Sequence, residues 1–454
     1  MRKWFDKIFL RKMLVIAIPI IIQNGITNFV GMLDNIMVGR IGTEQMSAVS
    51  ISNQLIFVYN LCIFGALSGA GIFTAQYFGK QDKEGIRYSI RYKWLISIIV
   101  TILSLLIFGF FGKTLISYYL NGQGNISDTL FYGQEYLHIM MIGMPLYMIA
   151  QIYSNTLRET SNTIIPMRSG IVAITVNLIG NYILIYGKFG FSKLGCVGAA
   201  YATVLSRLVE ALCNVIWVHT HKEKCDYMKD VYTSFYIPLS QIKTYFLTGT
   251  PLLLNETMWA AGMAMLIQCY SLRGLHVVAG LNIANTIINV SNTVFLALGV
   301  SVGIIVGQLL GAQCVQEAKD TEKKASLFSV LSVIPIMILV FFIAPVFPKI
   351  YNTTTEIQHL ATTIILISTL FMPLQSYINC IYFIMRAGGR TMVAFLFDSI
   401  FVWSVSVTVA FILSRFTNLP VHMIFLSVQL LDLVKMIVGT ILIKKGIWIQ
   451  DITT

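Results

Sequence analysis

Residues 71–79, GIFTAQYFG, return 232 positions later as residues 303–311, GIIVGQLLG. The same shift places Pro19 on Pro251 and Asn53 on Asn285, and it runs without a gap from residue 19 to residue 79. A later block, LRETSNT at 157–163, resembles MRAGGRT at 385–391 with a spacing of 228, which indicates a small loop difference between the halves. Two similar hydrophobic halves in one chain are typical of secondary transporters, whose central site opens alternately to either side.

The composition places the chain in a lipid bilayer. Hydrophobic residues make up 56% of the 454 residues and charged residues only 11%, with a mean hydropathy of +0.75. Such a chain is too apolar for a soluble domain of this length. Twelve apolar stretches are long enough to cross the hydrocarbon layer: 13–38, 47–78, 94–112, 133–157, 164–187, 195–218, 244–270, 277–310, 326–348, 358–385, 392–414 and 421–443.

The number of spans predicts how the two halves are arranged. Six spans in each half start both halves on the same side of the membrane, so the repeats are parallel. We therefore expect an all-α membrane protein with an N-terminal lobe at 1–218 and a C-terminal lobe at 244–454. Residues 219–243, the longest polar connection, are expected to form a cytoplasmic linker between the lobes.

The formal net charge of +12 is explained by topology rather than by nucleic-acid binding. Lys and Arg concentrate in the N-terminal tail, in the second loop at 80–93 and in alternate later loops, which predicts that both termini are cytoplasmic. The first span lacks a small-residue cleavage site and is interpreted as a retained helix. The seven cysteines show no CxxC spacing and are expected to be reduced packing residues.

Ionisable residues inside spans are costly and are candidates for function. Arg207 with Glu210, and Asp432 with Lys435, are spaced i, i+3, so we expect each pair to neutralise itself on one helix face or to contact lipid headgroups. Asp398 is expected to cap a helix or to pair with a cytoplasmic arginine, Arg386 or Arg390.

Asp34 and Glu256 have no opposite charge three or four residues away. Either one could carry a proton by gaining and losing it, or bind a sodium ion with neutral oxygen ligands. Asn177 and Asn181, one turn apart on the fifth span, and Thr203 on the sixth could join Asp34 in such a site. The alternative for all five residues is ordinary hydrogen bonding between helices.

Several other chemistries find no support in the sequence. Gly112-Lys113-Thr114 resembles the end of a phosphate-binding loop, but the required earlier glycine is Ile107. The six histidines are dispersed and show no metal-ligand spacing. No assembled nucleophile is found either, so we expect neither an enzyme nor a bound cofactor.

Four motifs resemble the multidrug and toxic compound extrusion (MATE) family of bacterial transporters. They are DNIMVGRIG at 34–42, LRETSNT at 157–163, PLLLNE at 251–256 and KKGIW at 444–448. The resemblance covers essentially the whole chain. It implies a V-shaped, two-lobed antiporter of twelve helices in the bacterial inner membrane. Such an antiporter expels organic, often cationic, compounds in exchange for protons or sodium ions.

The resemblance also implies roles for the candidate residues. Asp34, Asn177, Asn181 and Thr203 correspond to the family's cation site in the N-terminal lobe, and Glu256 corresponds to its acid in the C-terminal lobe. One departure is that many members carry an acid in the tenth span, where residues 372–375 read MPLQ in this chain. The departure favours protons, or the N-terminal site, over a carboxylate-rich sodium site in the C-terminal lobe.

Two competing functions remain open at this point. A lipid-linked oligosaccharide flippase would share the lobes but would need a ring of cationic residues, which are scarce in the spans, where Arg207 and Lys435 are the ones far from the span ends. A channel would be suggested by oligomeric symmetry, against which the complete duplication argues. We therefore expect a monomer whose partners are a small organic substrate and the surrounding lipid. Protonation or cation binding at Asp34 and Glu256 would weaken substrate binding and drive the lobes between their two states.

Overall fold

The computed structural model describes residues 6–120, 126–351 and 353–453, and in these ranges it contains helices and no strand. We number the twelve long helices in chain order: α1 Lys7–Gly39, α2 Thr43–Lys80, α3 Lys83–Tyr119, α4 Ile126–Glu159, α5 Ile164–Tyr186, α6 Cys196–Thr220, α7 Leu239–Ser271, α8 Leu275–Gly311, α9 Val315–Ile343, α10 Thr355–Ala387, α11 Thr391–Phe416 and α12 Val421–Lys444.

Each helix coincides with one of the predicted apolar stretches. Most helices also run beyond the apolar stretch, because the backbone can continue its hydrogen bonding through polar residues outside the hydrocarbon layer. Helix α3, for example, begins eleven residues before its apolar stretch, at Lys83, where the side chain of Asp82 accepts a hydrogen bond from the amide of Gly85. Eleven helices are long and apolar enough to cross a membrane; α7, which carries Asn255 and Glu256, is the exception. The predicted all-α membrane fold is confirmed.

The internal repeat is visible in the helix boundaries. Shifting α1 by 232 residues gives the boundaries of α7, and shifting the first residue of α2 gives the first residue of α8. The ends of α2 and α8 cross each other symmetrically. A Cβ atom on Gly79 would lie 1.9 Å from the carbonyl oxygen of Gln308, and one on Gly311 would lie 1.9 Å from that of Gln76. Both members of each contact are related by the repeat, and the crossing has room only for glycine.

The chain divides into two compact units. One consists of the described residues up to Ile21, a short piece at Ala75–Gln81 and everything from Thr250 onward. A hydrophobic core around Met13, Val302, Ile381 and Trp448 holds this unit together. These side chains come from α1, α8 and α10 and from the segment that follows α12.

The other unit comprises Ile22–Thr74 and Asp82–Gly249. Its core surrounds Tyr59, which is 1% exposed and packs with neighbours from α3, α4 and α6. The Tyr59 hydroxyl donates a 2.8 Å hydrogen bond to the carbonyl oxygen of Met144 and lies 3.0 Å from Thr101 Oγ1. The buried hydroxyl is therefore satisfied within the core.

The polar connection at 219–243 is fastened to α3 in the second unit. The guanidinium of Arg91 donates to three backbone carbonyls of this segment, at 2.9 Å to Val231, 2.7 Å to Asp230 and 3.0 Å to Tyr236. Burial raises the pKa of the Cys225 thiol in the same segment. The connection is thus held against α3 by hydrogen bonds, and residues 219–243 are called the strap below.

Helix α11 departs from regular geometry near a residue of interest. It contains two π-helical segments, Leu396–Ile400 and Val402–Val407. Such segments change the direction of neighbouring side chains and occur often at functional sites. Asp398 lies in the first of them. Prolines lie in the interior of five of the helices, at positions 19, 145, 251, 335 and 373.

Candidate functional site

Asp34 is the centre of a polar site formed by α1, α5 and α6. Asn181 Nδ2 donates a 2.6 Å hydrogen bond to Asp34 Oδ1. Asn177, one turn earlier on α5, lies 3.3 Å from Thr203 Oγ1 on α6 and 3.2 Å from Asn181. The two asparagines are buried, whereas Asp34 is half-buried. The structure therefore brings together all four residues predicted for this site.

The orientation of the Asn177 amide decides whether its nitrogen or its oxygen faces the Asp34 carboxylate. With its oxygen facing Thr203 Oγ1 at 3.3 Å, the Asn177 nitrogen lies 3.1 Å from both carboxylate oxygens of Asp34. With the opposite orientation, the Asn177 oxygen faces the carboxylate, and two acceptors at that distance repel unless a proton or a cation lies between them. The buried Asn181 Oδ1 has no hydrogen-bond partner among the described residues. The site can therefore offer several oxygen atoms to a small cation.

Of the two alternatives predicted for Arg207 and Glu210, the ion pair on one helix face is not found among the described residues, and contact with lipid headgroups stays a prediction. The Arg207 guanidinium lies instead over the ring of Tyr147, 5.1 Å from the ring centroid. The i, i+3 spacing allowed the pair, but the aromatic ring on α4 offers the cation a partner across the helix interface.

Glu256 lies in the other compact unit, on α7. Its Oε1 is 3.8 Å from Nη1 of Arg386 on α10. The Arg386 guanidinium also lies over the rings of Tyr382 and Phe383, at 5.7 and 5.0 Å. Glu256 is therefore not the isolated acid that its own helix suggested, since the compensating charge comes from another helix.

Asp398 pairs with a lysine and not with an arginine. Lys435 Nζ on α12 donates a 2.6 Å bond to Asp398 Oδ1, and Asn255 Nδ2 on α7 donates a 3.1 Å bond to Asp398 Oδ2. The same Asn255 nitrogen donates to the hydroxyl of Tyr382 at 3.0 Å. The predicted pairing of Asp398 with Arg386 or Arg390 is wrong, because the π-helical segment of α11 points the carboxylate towards α12 and α7.

Asp432 consequently lacks its predicted partner. Lys435, three residues later on the same helix, forms its ion pair with Asp398. No ion pair that includes Asp432 is found among the described residues. Asp432 Oδ2 instead accepts a 2.5 Å hydrogen bond from Gln375 Nε2 on α10. Gln375 belongs to residues 372–375, the tenth-span neighbourhood in which the sequence departs from the family pattern.

A second buried ion pair was missed by the sequence reasoning. Lys93 on α3 is fully buried and pairs with Glu159 at the end of α4, while its ammonium also donates to Thr156 Oγ1 at 3.2 Å. Lys93 had been assigned to a cytoplasmic loop because of the charges around it. The signal that could have identified it is its place in Tyr92-Lys93-Trp94, at the start of the apolar stretch.

Sequence comparison assigns the family. The sequence model of the MatE family matches residues 19–183 and 251–412. The chain belongs to the MatE family. The two matched segments begin at Pro19 and Pro251, the pair that the 232-residue shift superimposes, so the MatE match follows the internal repeat. The resemblance inferred from the motifs is confirmed.

Relatives and solved structures support this assignment along the whole chain. "Probable multidrug resistance protein NorM" of Thermotoga maritima is 26% identical over 415 residues, which cover 90% of this chain and 86% of the relative. "Probable multidrug resistance protein YoeA" of Bacillus subtilis is 24% identical over 90% of this chain and 88% of its own length. A crystal structure of MATE in the bent conformation matches with a TM-score of 0.87 at 19% identity, over 97% of this chain and 95% of that one. The crystal structure of a mutant of the Vibrio cholerae MATE transporter VcmN matches with a TM-score of 0.87 at 14% identity. The match covers 97% of this chain and 99% of that one.

At these identities the solved structures show that this MatE-family chain shares the MATE transporter fold, and they do not assign roles to single residues. The coupling roles of Asp34, Asn177, Asn181, Thr203 and Glu256 stay predictions. Within the described residues, no group of three or more His, Cys, Asp or Glu side chains is arranged to hold a metal ion. The oxygen-rich surroundings of Asp34 are of the kind that suits a hard monovalent cation as transported cargo.

Proposed function

We propose that this MatE-family protein exports organic compounds, cationic or amphipathic, in exchange for protons or sodium ions. The relatives named above are multidrug resistance proteins, and the chain covers most of their length. The internal repeat supports a mechanism of alternating access, because two similar bundles can rock around a site between them. In this proposal the protein is a transporter and not an enzyme.

The single observation that carries the proposal is the Asp34 site. Burying a carboxylate inside a membrane helix costs free energy, so acids at such positions usually have a function. Asp34 has amide and hydroxyl groups around it and no basic partner within 4.0 Å among the described residues. A group of this kind can accept a proton or a sodium ion and release it again.

The Asn177 amide gives this site a way to respond to its occupant. In the orientation that satisfies both ends of the amide, its nitrogen faces the Asp34 carboxylate at 3.1 Å, which suits an ionised Asp34 with no cation bound. When Asp34 binds a proton or a sodium ion, the amide oxygen can face it instead. The amide rotation would change the hydrogen bond between α5 and Thr203 on α6, which links ion binding to the packing of the two helices.

Glu256 is proposed as the second coupling acid. Its contact with Arg386 at 3.8 Å is long for an ion pair, so a proton or a cationic compound can compete for the carboxylate. We propose a division into lobes at 1–218 and 244–454, joined by the strap at 219–243. We also propose a monomer in the bacterial inner membrane with both termini in the cytoplasm.

The proposal is tested with purified protein in liposomes loaded with ethidium, a fluorescent organic cation. Dye efflux is followed under an imposed proton gradient and, separately, under an imposed sodium gradient. The parent is compared with Asp34→Asn and Glu256→Gln. The matched control is Glu356→Gln, which makes the same acid-to-amide change on an exposed residue at the start of α10.

We expect one gradient to drive efflux in the parent and in the Glu356 control, and little or no gradient-driven efflux in Asp34→Asn or Glu256→Gln. The gradient that works names the coupling ion. If efflux ignores both gradients and both substitutions, the antiporter proposal is wrong and lipid substrates become the next class to test. Monodisperse elution of each variant shows that a loss of efflux does not arise from unfolding.

A further inference from the structure

The C-terminal helices contain a polar site that the coupling residues do not use. Gln375 Nε2 on α10 donates to Asp432 Oδ2 at 2.5 Å and also lies 3.3 Å from Gln429 Oε1. Gln429 and Asp432 are three residues apart on α12, so they lie on the same helix face. A carboxylate and two amides therefore meet between α10 and α12.

This face of α12 points away from lipid. The large exposed apolar residues of the helix include Leu430, Ile437 and Ile441. At about 100° per residue, these three lie roughly 140° to 180° around the helix from Asp432. Asp432 and Gln429 are nevertheless only partly buried. Their remaining exposure is therefore on the side of the helix that faces the other helices and not on the side that faces the hydrocarbon.

Asp432 has no basic partner within 4.0 Å among the described residues, although Lys435 attracts its carboxylate from a greater distance. Lys435 is the nearest basic residue along the helix, but its ammonium is bound to Asp398 at 2.6 Å and lies over the ring of Phe397 at 5.2 Å. Arg386, the other buried base of these helices, contacts Glu256. Three acids thus share two bases, and Asp432 is the acid that none of the described ion pairs includes.

We propose that Asp432, with Gln375 and Gln429, binds the positively charged nitrogen of the exported compound. The ligand class is a protonated amine or amidinium, because the free acceptor atoms of a carboxylate and an amide suit N–H donors. Phe425 lies two turns before Asp432 on the same face and packs against Tyr270 in a tilted pair, with ring centroids 5.8 Å apart. Tyr270 is buried, so it is the partly buried Phe425 ring that offers an apolar surface to the rest of the ligand.

The inference rests on the proposed export of organic cations and adds the residue that recognises the cation. It separates recognition at Asp432 from ion coupling at Asp34.

The test is direct binding of proflavine, a fluorescent dye whose protonated ring system carries N–H donors, to the purified protein by fluorescence polarisation. We expect Asp432→Asn to raise Kd by about tenfold to a hundredfold, the loss that follows from removing a charge-assisted hydrogen bond. Asp432→Glu keeps the negative charge and only lengthens the side chain by one methylene group. Its Kd for proflavine should therefore stay within about threefold of the parent value. Glu356→Gln should leave Kd unchanged.

Transport distinguishes this inference from the proposed function. In liposomes, Asp432→Asn should raise KM for proflavine while efflux at saturating dye still follows the driving gradient. If the parent shows no gradient-driven efflux, the proposed function fails, but the binding comparison still decides the role of Asp432.

The inference is overturned if Asp432→Asn binds proflavine with the parent Kd. It is equally overturned if the substitution abolishes gradient dependence and leaves Kd unchanged, because Asp432 would then carry a proton instead of the ligand. If Asp432→Asn does not fold, Gln429→Ala replaces it, and an unchanged Kd in that variant has the same meaning.

Discussion

The buried Lys93–Glu159 pair gives a prediction whose size follows from the structure. The Lys93 side chain is 0% exposed and that of Glu159 is 11% exposed. Breaking a buried ion pair by removing one partner leaves a charge in a poorly solvated place, at a cost of about 3–5 kcal/mol. We expect Lys93→Met to destabilise the protein by this amount, because the Glu159 carboxylate stays buried without its ammonium.

Removing both charges should cost much less. Replacement of a buried pair by uncharged residues of similar volume is often neutral, so Lys93→Met combined with Glu159→Gln should recover most of the loss. The coupling between the two substitutions should then reach about 2 kcal/mol or more, within the range for contacting residues. Glu159 packs tightly against α2, where a Cβ atom on Gly71 would lie 2.1 Å from its Oε1, and glutamine keeps that shape.

The matched control is an exposed pair of the same chemistry. Lys83 and Asp226 form an ion pair whose side chains are 59% and 35% exposed. Exposed pairs contribute about 0–1 kcal/mol, because water already solvates both charges. Lys83→Met should therefore be close to neutral.

The assay is the thermal unfolding midpoint of detergent-purified protein, followed by tryptophan fluorescence for the parent, both single variants, the double variant and the Lys83 control. Unfolding of a membrane protein of this size is not a simple two-state process, so the order of the midpoints carries the test. We expect Lys93→Met to be lowest and the double variant to lie near the parent. A double variant that loses as much as the two single variants together would show that the charges do not interact, and the reasoning would be refuted.

Three further predictions follow from single contacts. Gly311→Ala should reduce stability and folded yield, measured by size-exclusion chromatography, because its Cβ would meet backbone 1.9 Å away; Gly31→Ala, with no atom within 4 Å, should be tolerated. Arg91→Ala should expose the strap to trypsin in limited proteolysis, because three carbonyl acceptors lose their donor; cleavage at the parent rate would contradict this. Cys314 is exposed, whereas Cys225 is buried and its thiol pKa is raised, so a maleimide at neutral pH should label Cys314 first. The proposed cytoplasmic termini place Cys314 on the inner side, so an impermeant maleimide should reach it in whole cells only after permeabilisation.

The sequence alone determined the helices and the family. Apolar length decides where a chain can cross a bilayer, and the twelve stretches predicted from it match the twelve helices. The 232-residue repeat anticipated that α7 has the boundaries of α1 shifted along the chain. The grouping of Asn177 with Asn181 was also readable, because one helical turn between them places both on one face.

The charge partners were decided only by the tertiary structure. Spacing along one helix suggested that Lys435 pairs with Asp432, yet it pairs with Asp398 on α11, and Glu256 finds Arg386 on α10. A long side chain reaches across a helix interface as easily as along its own helix, so the partner depends on the rotation and depth of each helix. Those quantities come from packing against neighbouring helices, which local sequence does not encode. The surplus carboxylate at Asp432 became visible only once these pairs were known.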